Sequence, residues 1–224
     1  MSEAVSAPAV VAWMRAFAAT VAREREYLTE LDAAIGDADH GINMERGTQA
    51  VLAKLEGASA AGAAGGLGPL LKTVGMTLVS TVGGAAGPLY GTLFLAMGTA
   101  AGEATELSLA AWAATLDAGV AGVRARGKAE PGDKTMLDAL LPAVEALKSA
   151  AASGLSLEAA LQGSVAAAEQ GMTATVALVA RKGRASYLGE RSAGHQDPGA
   201  TSSWLLLQTA AETLAEQEGG GTTP

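Results

Sequence analysis

The chain has no cysteine, which removes both a disulfide framework and thiolate chemistry. Aromatic residues make up only 4% of it, too few π faces to steady a carbocation, which disfavours the Asp-rich diphosphate chemistry of terpenoid-type helical enzymes. Basic residues are also scarce: 15 Lys and Arg stand against 23 Asp and Glu, a net charge of −8. That balance argues against a nucleic-acid footprint and against an anionic membrane surface, since both need clustered cations. The one long uncharged run, residues 73–102, is cut by Gly83-Gly-Ala-Ala-Gly-Pro88 into pieces shorter than the roughly 20 apolar residues a membrane span requires. It reads instead as two buried helices joined by a glycine loop. The first eight residues lack a basic stretch followed by an apolar core, so no signal peptide is expected and a cytoplasmic location fits. No Gly-x-x-x-x-Gly-Lys-Ser/Thr loop and no strand-like alternation of useful length occur.

What is present is apolar and helical. Hydrophobic residues reach 49%, chiefly Ala with Leu and Val, a mixture suited to closely packed helices, and 224 residues suffice for one domain spanning 1–224. In residues 9–31 apolar side chains recur at Val10, Trp13, Met14, Phe17, Val21, Leu28 and Leu31, the spacing of one helical face. Further helices are predicted at 42–55, 69–82, from Pro88 onward, 108–126 with Gly127 as the stop, 135–150, 156–180, and 197–217, where Asp197 caps and Pro198 takes the first position. Residues 57–68 read as an Ala/Gly linker and 219–224 as a disordered tail.

Chemistry concentrates in Leu31-Asp-Ala-Ala-Ile-Gly-Asp-Ala-Asp-His-Gly-Ile-Asn43, which sets Asp32, Asp37 and Asp39 within eight residues. Carboxylates that close repel one another unless a cation intervenes. Oxygen-only donors favour a hard ion, Mg²⁺ or Ca²⁺, but the twelfth position from Asp37 is Thr48 and from Asp32 is Asn43, so the bidentate Glu of a calcium loop is missing. The bland alternative is that these residues cap a turn and the next helix. Asp32 at the C-terminal end of the first helix faces the negative pole of the helix dipole, which favours a metal ligand over a cap.

Eight helices with short connections imply an all-α, antiparallel up-and-down barrel, in which alternate connections fall at one end. The Asp cluster, Gly83 to Gly87, Gly127 to Asp133 and Arg184 to Gly199 then share that end. Acidic metal ligands, glycine-loop amides before a helix N-terminus and a guanidinium are the parts phosphoryl transfer uses. Each has a duller reading. His40 can merely bond the next helix, Met136 can be core, Arg184 can pair with Glu190 or Asp197, and His195 can be a loop hydrogen-bonder. A helical metal-binding or apolar-ligand module without catalysis is the corresponding non-enzymatic alternative.

The Asp stretch, Val82-Gly-Gly-Ala-Ala-Gly-Pro-Leu-Tyr-Gly91, Pro131-Gly-Asp-Lys-Thr-Met-Leu-Asp-Ala-Leu140 and Gly183-Arg-Ala-Ser-Tyr-Leu-Gly-Glu-Arg-Ser-Ala-Gly-His-Gln-Asp-Pro-Gly-Ala200 together resemble the L subunit, the ADP-binding subunit, of bacterial phosphotransferase-dependent dihydroxyacetone kinases, in that family's order. The resemblance implies that Asp32, Asp37 and Asp39 hold two Mg²⁺ ions bridging the phosphates of ADP or ATP. It implies further that His40, Asn43, Gly84, Ala85, Ala86, Gly127, Met136, Arg184, Asp197, Pro198 and Gly199 complete the nucleotide site, with Arg184 and His40 nearest the chemistry. Ala86 stands where the family pattern suggests Ser, which removes a hydroxyl but leaves backbone contacts intact. The partners implied are a K subunit carrying dihydroxyacetone and a phosphohistidine M-type donor, with a homodimer left open. The alternative within this reading is an ATP-dependent kinase of dihydroxyacetone or a related ketose.

Overall fold

The computed structural model describes residues 4–60 and 66–215. Among these, nine α-helices and two three-residue strands form: β1 Ala4–Ser6, α1 Ala7–Arg23, α2 Arg25–Ile35, α3 His40–Ala60, α4 Leu67–Thr81, α5 Ala86–Ala101, β2 Glu106–Ser108, α6 Leu109–Gly127, α7 Leu137–Ala152, α8 Leu157–Ala174 and α9 Pro198–Thr213. Two 3₁₀ segments, Thr175–Ala177 and Arg184–Ser192, lie between α8 and α9. The all-α expectation holds. Neighbour contacts run α1–α3–α4–α5–α6–α7–α8–α9 and return to α1, so eight helices form a closed cycle, with α2 laid against α3 and α9 at one end.

The core centres on Trp13, Phe17, Phe94 and Trp112, all nearly inaccessible to solvent. Trp13 meets Trp112 edge-on at 5.7 Å, and its indole N–H donates to the Leu206 carbonyl at 2.8 Å, so the bulkiest side chain ties α1 to both α6 and α9. Residues 73–102 fall in α4 and α5, which are not wholly buried as expected: each buries one face, and Met76 and Val79 of α4 stand exposed; no helix of the described residues is long and apolar enough to cross a membrane.

Several boundaries differ from expectation for physical reasons. The single helix over 9–31 is two helices, because Glu24 takes ψ 7° while backbone bonds continue on either side of it. The kink lets α2 leave α1 and lean on α3. The segment 57–68 is partly helical: α3 continues to Ala60, as Ala-rich sequence favours, and α4 starts at Leu67, two residues before Pro69. Gly127 does not stop α6. It is the last helical residue, and Lys128 takes the left-handed conformation at φ 49°. The last two helices also end early, α8 at Ala174 rather than 180 and α9 at Thr213; position 217 and the tail 219–224 lie outside the described residues. The small antiparallel ribbon, Ala4 with Ser108 through Ser6 with Glu106, escapes a periodicity reading because three residues carry no period.

Candidate active site

Asp32 lies one turn before the end of α2, only 8% exposed. Its Oδ2 accepts the backbone N–H groups of Asp39 at 2.9 Å and His40 at 3.1 Å, so α2 caps the start of α3 with a carboxylate. The cap and ligand readings therefore do not exclude one another: one oxygen serves the positive pole of α3, and the other remains available. The turn between the helices depends on Gly36, where any Cβ would run into the Asp32 carboxylate, and on Ala38 at φ 61°. One carboxylate oxygen from each of Asp32, Asp37 and Asp39 lies within 4.8 Å of the others. Arg184 reaches across to Asp37 at 2.9 Å, pairing with neither Glu190 nor Asp197.

The glycine loop is delivered by a helix pair packed backbone to backbone. Gly68 faces Gly98 and Gly75 faces Gly91, where an added Cβ on Gly75 would stand 2.8 Å from the Gly91 carbonyl oxygen and one on Gly98 would stand 2.7 Å from that of Gly68. This seam fixes residues 82–85 and the first turn of α5. No side chain caps that turn: Ala85 occupies the capping position and Ala86 begins the helix, leaving backbone amides for a ligand. Asn43 packs under Gly83, and Arg46 holds its Oδ1 at 2.6 Å while also bonding the Thr81 carbonyl, which leaves the Asn43 amide nitrogen as its remaining donor.

Opposite stand the turn before α7 and the segment before α9. Asp138 accepts from the backbone of Gly132 at 2.6 Å and Thr135 at 2.7 Å, shaping the turn that presents Met136. Asp197 caps α9 by accepting from Ala200 N–H at 2.7 Å, with Pro198 first in the helix. Burial pushes the Asp197 carboxyl up to about 7, against the pull of the Ala200 bond and Lys134, and with Asp138 and Asp32 adding to the rise. Deeper in, His40 Nε2 and Ser202 Oγ are 2.9 Å apart, and the Tyr90 hydroxyl bonds Ser202 at 2.7 Å and Ser203 at 2.9 Å. Burial lowers the pKa of His40 against the raising effect of Asp32 and Asp39, and pushes Tyr90 up to about 12.

These pieces surround one cleft of about 410 Å³, and every residue of the predicted set lines it, from Asp32 to Gly199. His195 does not line it; its carbonyl accepts from Lys134. Sequence reasoning missed Lys134, which lines the cleft at 1% exposure, and the Tyr90–Ser202–Ser203 cluster behind His40. Periodicity reports which positions are apolar and is blind to a buried ammonium; the signal available was Lys134 inside the quoted Pro131–Leu140 stretch. Burial pushes the Lys134 ammonium below its ordinary range, opposed by Asp197.

The donor set fits a hard divalent ion: oxygen atoms only, three carboxylates, and one guanidinium to offset them.

Comparison with known proteins agrees with this geometry. A profile of the DAK2 domain matches residues 34–212. The Escherichia coli K12 protein named "PEP-dependent dihydroxyacetone kinase, ADP-binding subunit DhaL" is 47% identical over 209 residues, covering 93% of this chain and 97% of that protein. The human protein named "Triokinase/FMN cyclase" is 38% identical over 192 residues, but the match covers only 32% of its length. Among solved structures, the dihydroxyacetone kinase of C. freundii in complex with AMP-PNP and Mg²⁺ superposes with a TM-score of 0.69 at 26% identity, over 93% of this chain and 34% of that one. The chain therefore belongs to the DAK2 family, and within it to the DhaL-type subunits of dihydroxyacetone kinase.

Proposed function

We propose that this chain is the nucleotide-bearing subunit of a phosphoryl relay, a single nucleotide-binding domain acting in the cytoplasm. A phosphoryl group leaves a phosphohistidine on a donor subunit, is carried on ADP held in the cleft, and passes to dihydroxyacetone on a K-type subunit. The observation that carries the reading is the meeting of three carboxylates, an uncapped helix N-terminus and a guanidinium around one cleft, the parts that phosphoryl transfer requires. The names of the relatives, DhaL subunits of PEP- or PTS-dependent dihydroxyacetone kinases, support this choice of donor and acceptor.

In this reading Asp32, Asp37 and Asp39 hold two Mg²⁺ ions, which supply the positive charge that the phosphates need beside an acidic protein. The amides of Gly84, Ala85 and Ala86 bind phosphate oxygens, Asn43 adds a side-chain donor, and Arg184 turns from Asp37 to the transferred group. Met136 and Gly127 flank the base, and Asp197–Gly199 close the far wall. His40, kept neutral by burial and fixed by Ser202, donates or accepts a hydrogen bond without adding charge.

Thermal denaturation with ADP tests the assignment. At ligand about 100-fold above its dissociation constant, ADP should stabilise the protein by roughly 2.7 kcal/mol in Mg²⁺ buffer and not in excess EDTA. An equal shift in both buffers would sink the metal-bridged site. A second reading, an ATP-dependent ketose kinase, is favoured by similarity to a protein named D-erythrulose kinase, 37% identical over 204 residues. The two separate on turnover. With a K-type subunit and dihydroxyacetone, the relay predicts repeated turnover only with a phosphorylated donor protein, and sustained turnover on ATP alone promotes the alternative.

A further inference from the structure

Between α8 and α9 the chain runs from residue 175 to 197 in 3₁₀ turns and extended pieces, yet it carries Arg184 and leads into Asp197, both on the cleft. Helix packing holds it only lightly, through contacts with α2 and α8. Its apolar contacts amount to a small cluster of Ile35, Ala180 and Ala185 with Leu188 beside it, separate from the main core. What crosses it is Lys134. The ammonium is buried and donates to the carbonyls of Leu178 at 3.0 Å, Ser192 at 2.7 Å and His195 at 2.5 Å, three donors for three acceptors spread over 18 residues of chain. Lys134 itself sits at φ 62°, a left-handed conformation that costs a non-glycine residue energy, in the turn that Asp138 fixes through Gly132 and Thr135. Four further bonds lie alongside: Arg181 N–H to the Asp133 carbonyl at 3.1 Å, Ala180 N–H to Ser192 Oγ at 2.8 Å, Gly194 N–H to the Val176 carbonyl at 2.7 Å and Asp197 N–H to Thr175 Oγ1 at 3.0 Å. A buried charge with every donor used is a directional anchor, since one point fixes three places on the segment at once.

We propose that Lys134 is the positioning residue of the nucleotide site: by gathering the carbonyls of Leu178, Ser192 and His195 to one point, it sets where Arg184 and Asp197–Gly199 stand around the cleft. This rests on the nucleotide reading above for its consequence, but not for its geometry. A residue that only adds stability would affect every property of the fold alike. A positioning residue affects the wall it holds and spares the acidic cluster, whose three carboxylates come from the end of α2 and the turn into α3 and which the segment meets through the partly exposed Arg184–Asp37 pair and Ile35.

The test is Lys134→Met in the full chain, which keeps most of the side-chain length and removes the charge and all three donors. Three measurements are made: Mg²⁺-ADP affinity by calorimetry, Mn²⁺ affinity without nucleotide by electron paramagnetic resonance, and trypsin cleavage at Arg181, Lys182 and Arg184 without any ligand. Affinity for Mg²⁺-ADP should fall about tenfold or more, Mn²⁺ affinity should stay within about twofold, and cleavage in the segment should quicken about tenfold. Unchanged ADP affinity with unchanged cleavage would overturn the proposal, as would equal losses of ADP and Mn²⁺. Should Lys134→Met fail to fold, Ser192→Ala loosens the same segment by removing one link to Ala180, and faster cleavage with weaker ADP binding is again expected. Failure of the unaltered protein to bind Mg²⁺-ADP would instead refute the nucleotide reading, and the cleavage measurement, which needs no ligand, would still judge the anchor.

Discussion

Two walls of the cleft are built in opposite ways. The α4–α5 pair brings its glycine loop into place by backbone contact along the Gly68–Gly98 and Gly75–Gly91 seam, so position is set by close packing over the length of two helices. The segment from 175 to 197 brings Arg184 and Asp197 into place by hydrogen bonds converging on Lys134 and Ser192, with little apolar packing of its own. The first wall is rigid because its alternatives clash. The second is ordered because its alternatives leave a buried ammonium and three carbonyls unsatisfied. On the function proposed above, amides offered to a phosphate would benefit from rigidity, whereas a guanidinium exchanging Asp37 for a phosphoryl group would need a support that tolerates side-chain movement.

The contrast predicts a ranking of failures. Gly75→Leu should destabilise the fold by about 3 kcal/mol in urea titration, because its Cβ alone meets the Gly91 carbonyl and Leu95 at 2.8 Å and helix backbones cannot give way as a side chain can. A loss below about 1 kcal/mol would mean the seam is looser than its geometry implies.

On the other wall the expected effect is one of pH. Asp197 has its folded value raised to about 7, above that of an unfolded carboxyl, so the native state binds the extra proton between roughly pH 4 and 7. Stability contributed by the protonated group is present below that window and lost as pH rises through it. Asp197→Asn keeps a good cap and cannot titrate, so the difference in unfolding free energy between pH 5 and 7 should shrink by on the order of 2 kcal/mol. Parallel stability profiles for the two proteins would show that Asp197 stays ionised throughout.

Arg184→Ala should leave stability nearly unchanged, since its pair with Asp37 is 64% and 34% exposed at the two side chains, and exposed pairs contribute about 0–1 kcal/mol. Mg²⁺-ADP affinity should nevertheless fall about tenfold by calorimetry, while Mn²⁺ affinity without nucleotide should rise slightly as Asp37 is released. A fall in both would assign Arg184 to the architecture of the metal cluster. The smallest effect belongs to Ala86→Ser. The amides of that turn are already placed by the seam, so an added hydroxyl should change ADP affinity by no more than about threefold, less than 1 kcal/mol.

The same contrast explains what could be read from sequence. Helix packing leaves a periodic trace, and α4 and α6 appear in it to within two residues at each end, with the start of α5 placed as closely. The acidic cluster shows through its spacing alone, because three carboxylates in eight residues need a common explanation. The glycine loop was legible as a loop, but the seam was not: glycines 68, 75, 91 and 98 acquire meaning only when α4 and α5 lie against each other. Residues 175–180 read as the tail of a long helix, because the bonds that draw the chain away at Leu178 come from Lys134, 44 residues away, and no local pattern encodes them. The kink at Glu24 is likewise decided at a distance, by the fit of α2 against α3 and α9.

The β1–β2 ribbon, small as it is, gives the molecule a front and a back. It joins the start of α1 to the chain just before α6, and α1 and α5 both run from or to it on their way to or from the cleft end. With 17 residues in α1 at about 1.5 Å each, the ribbon stands some 25 Å from the far end of that helix, beyond which α2 leads on to the acidic cluster. A fluorophore, surface linker or fusion partner attached near Ala4 would therefore report on the protein from behind, leaving the mouth of the cleft free for whatever must approach it.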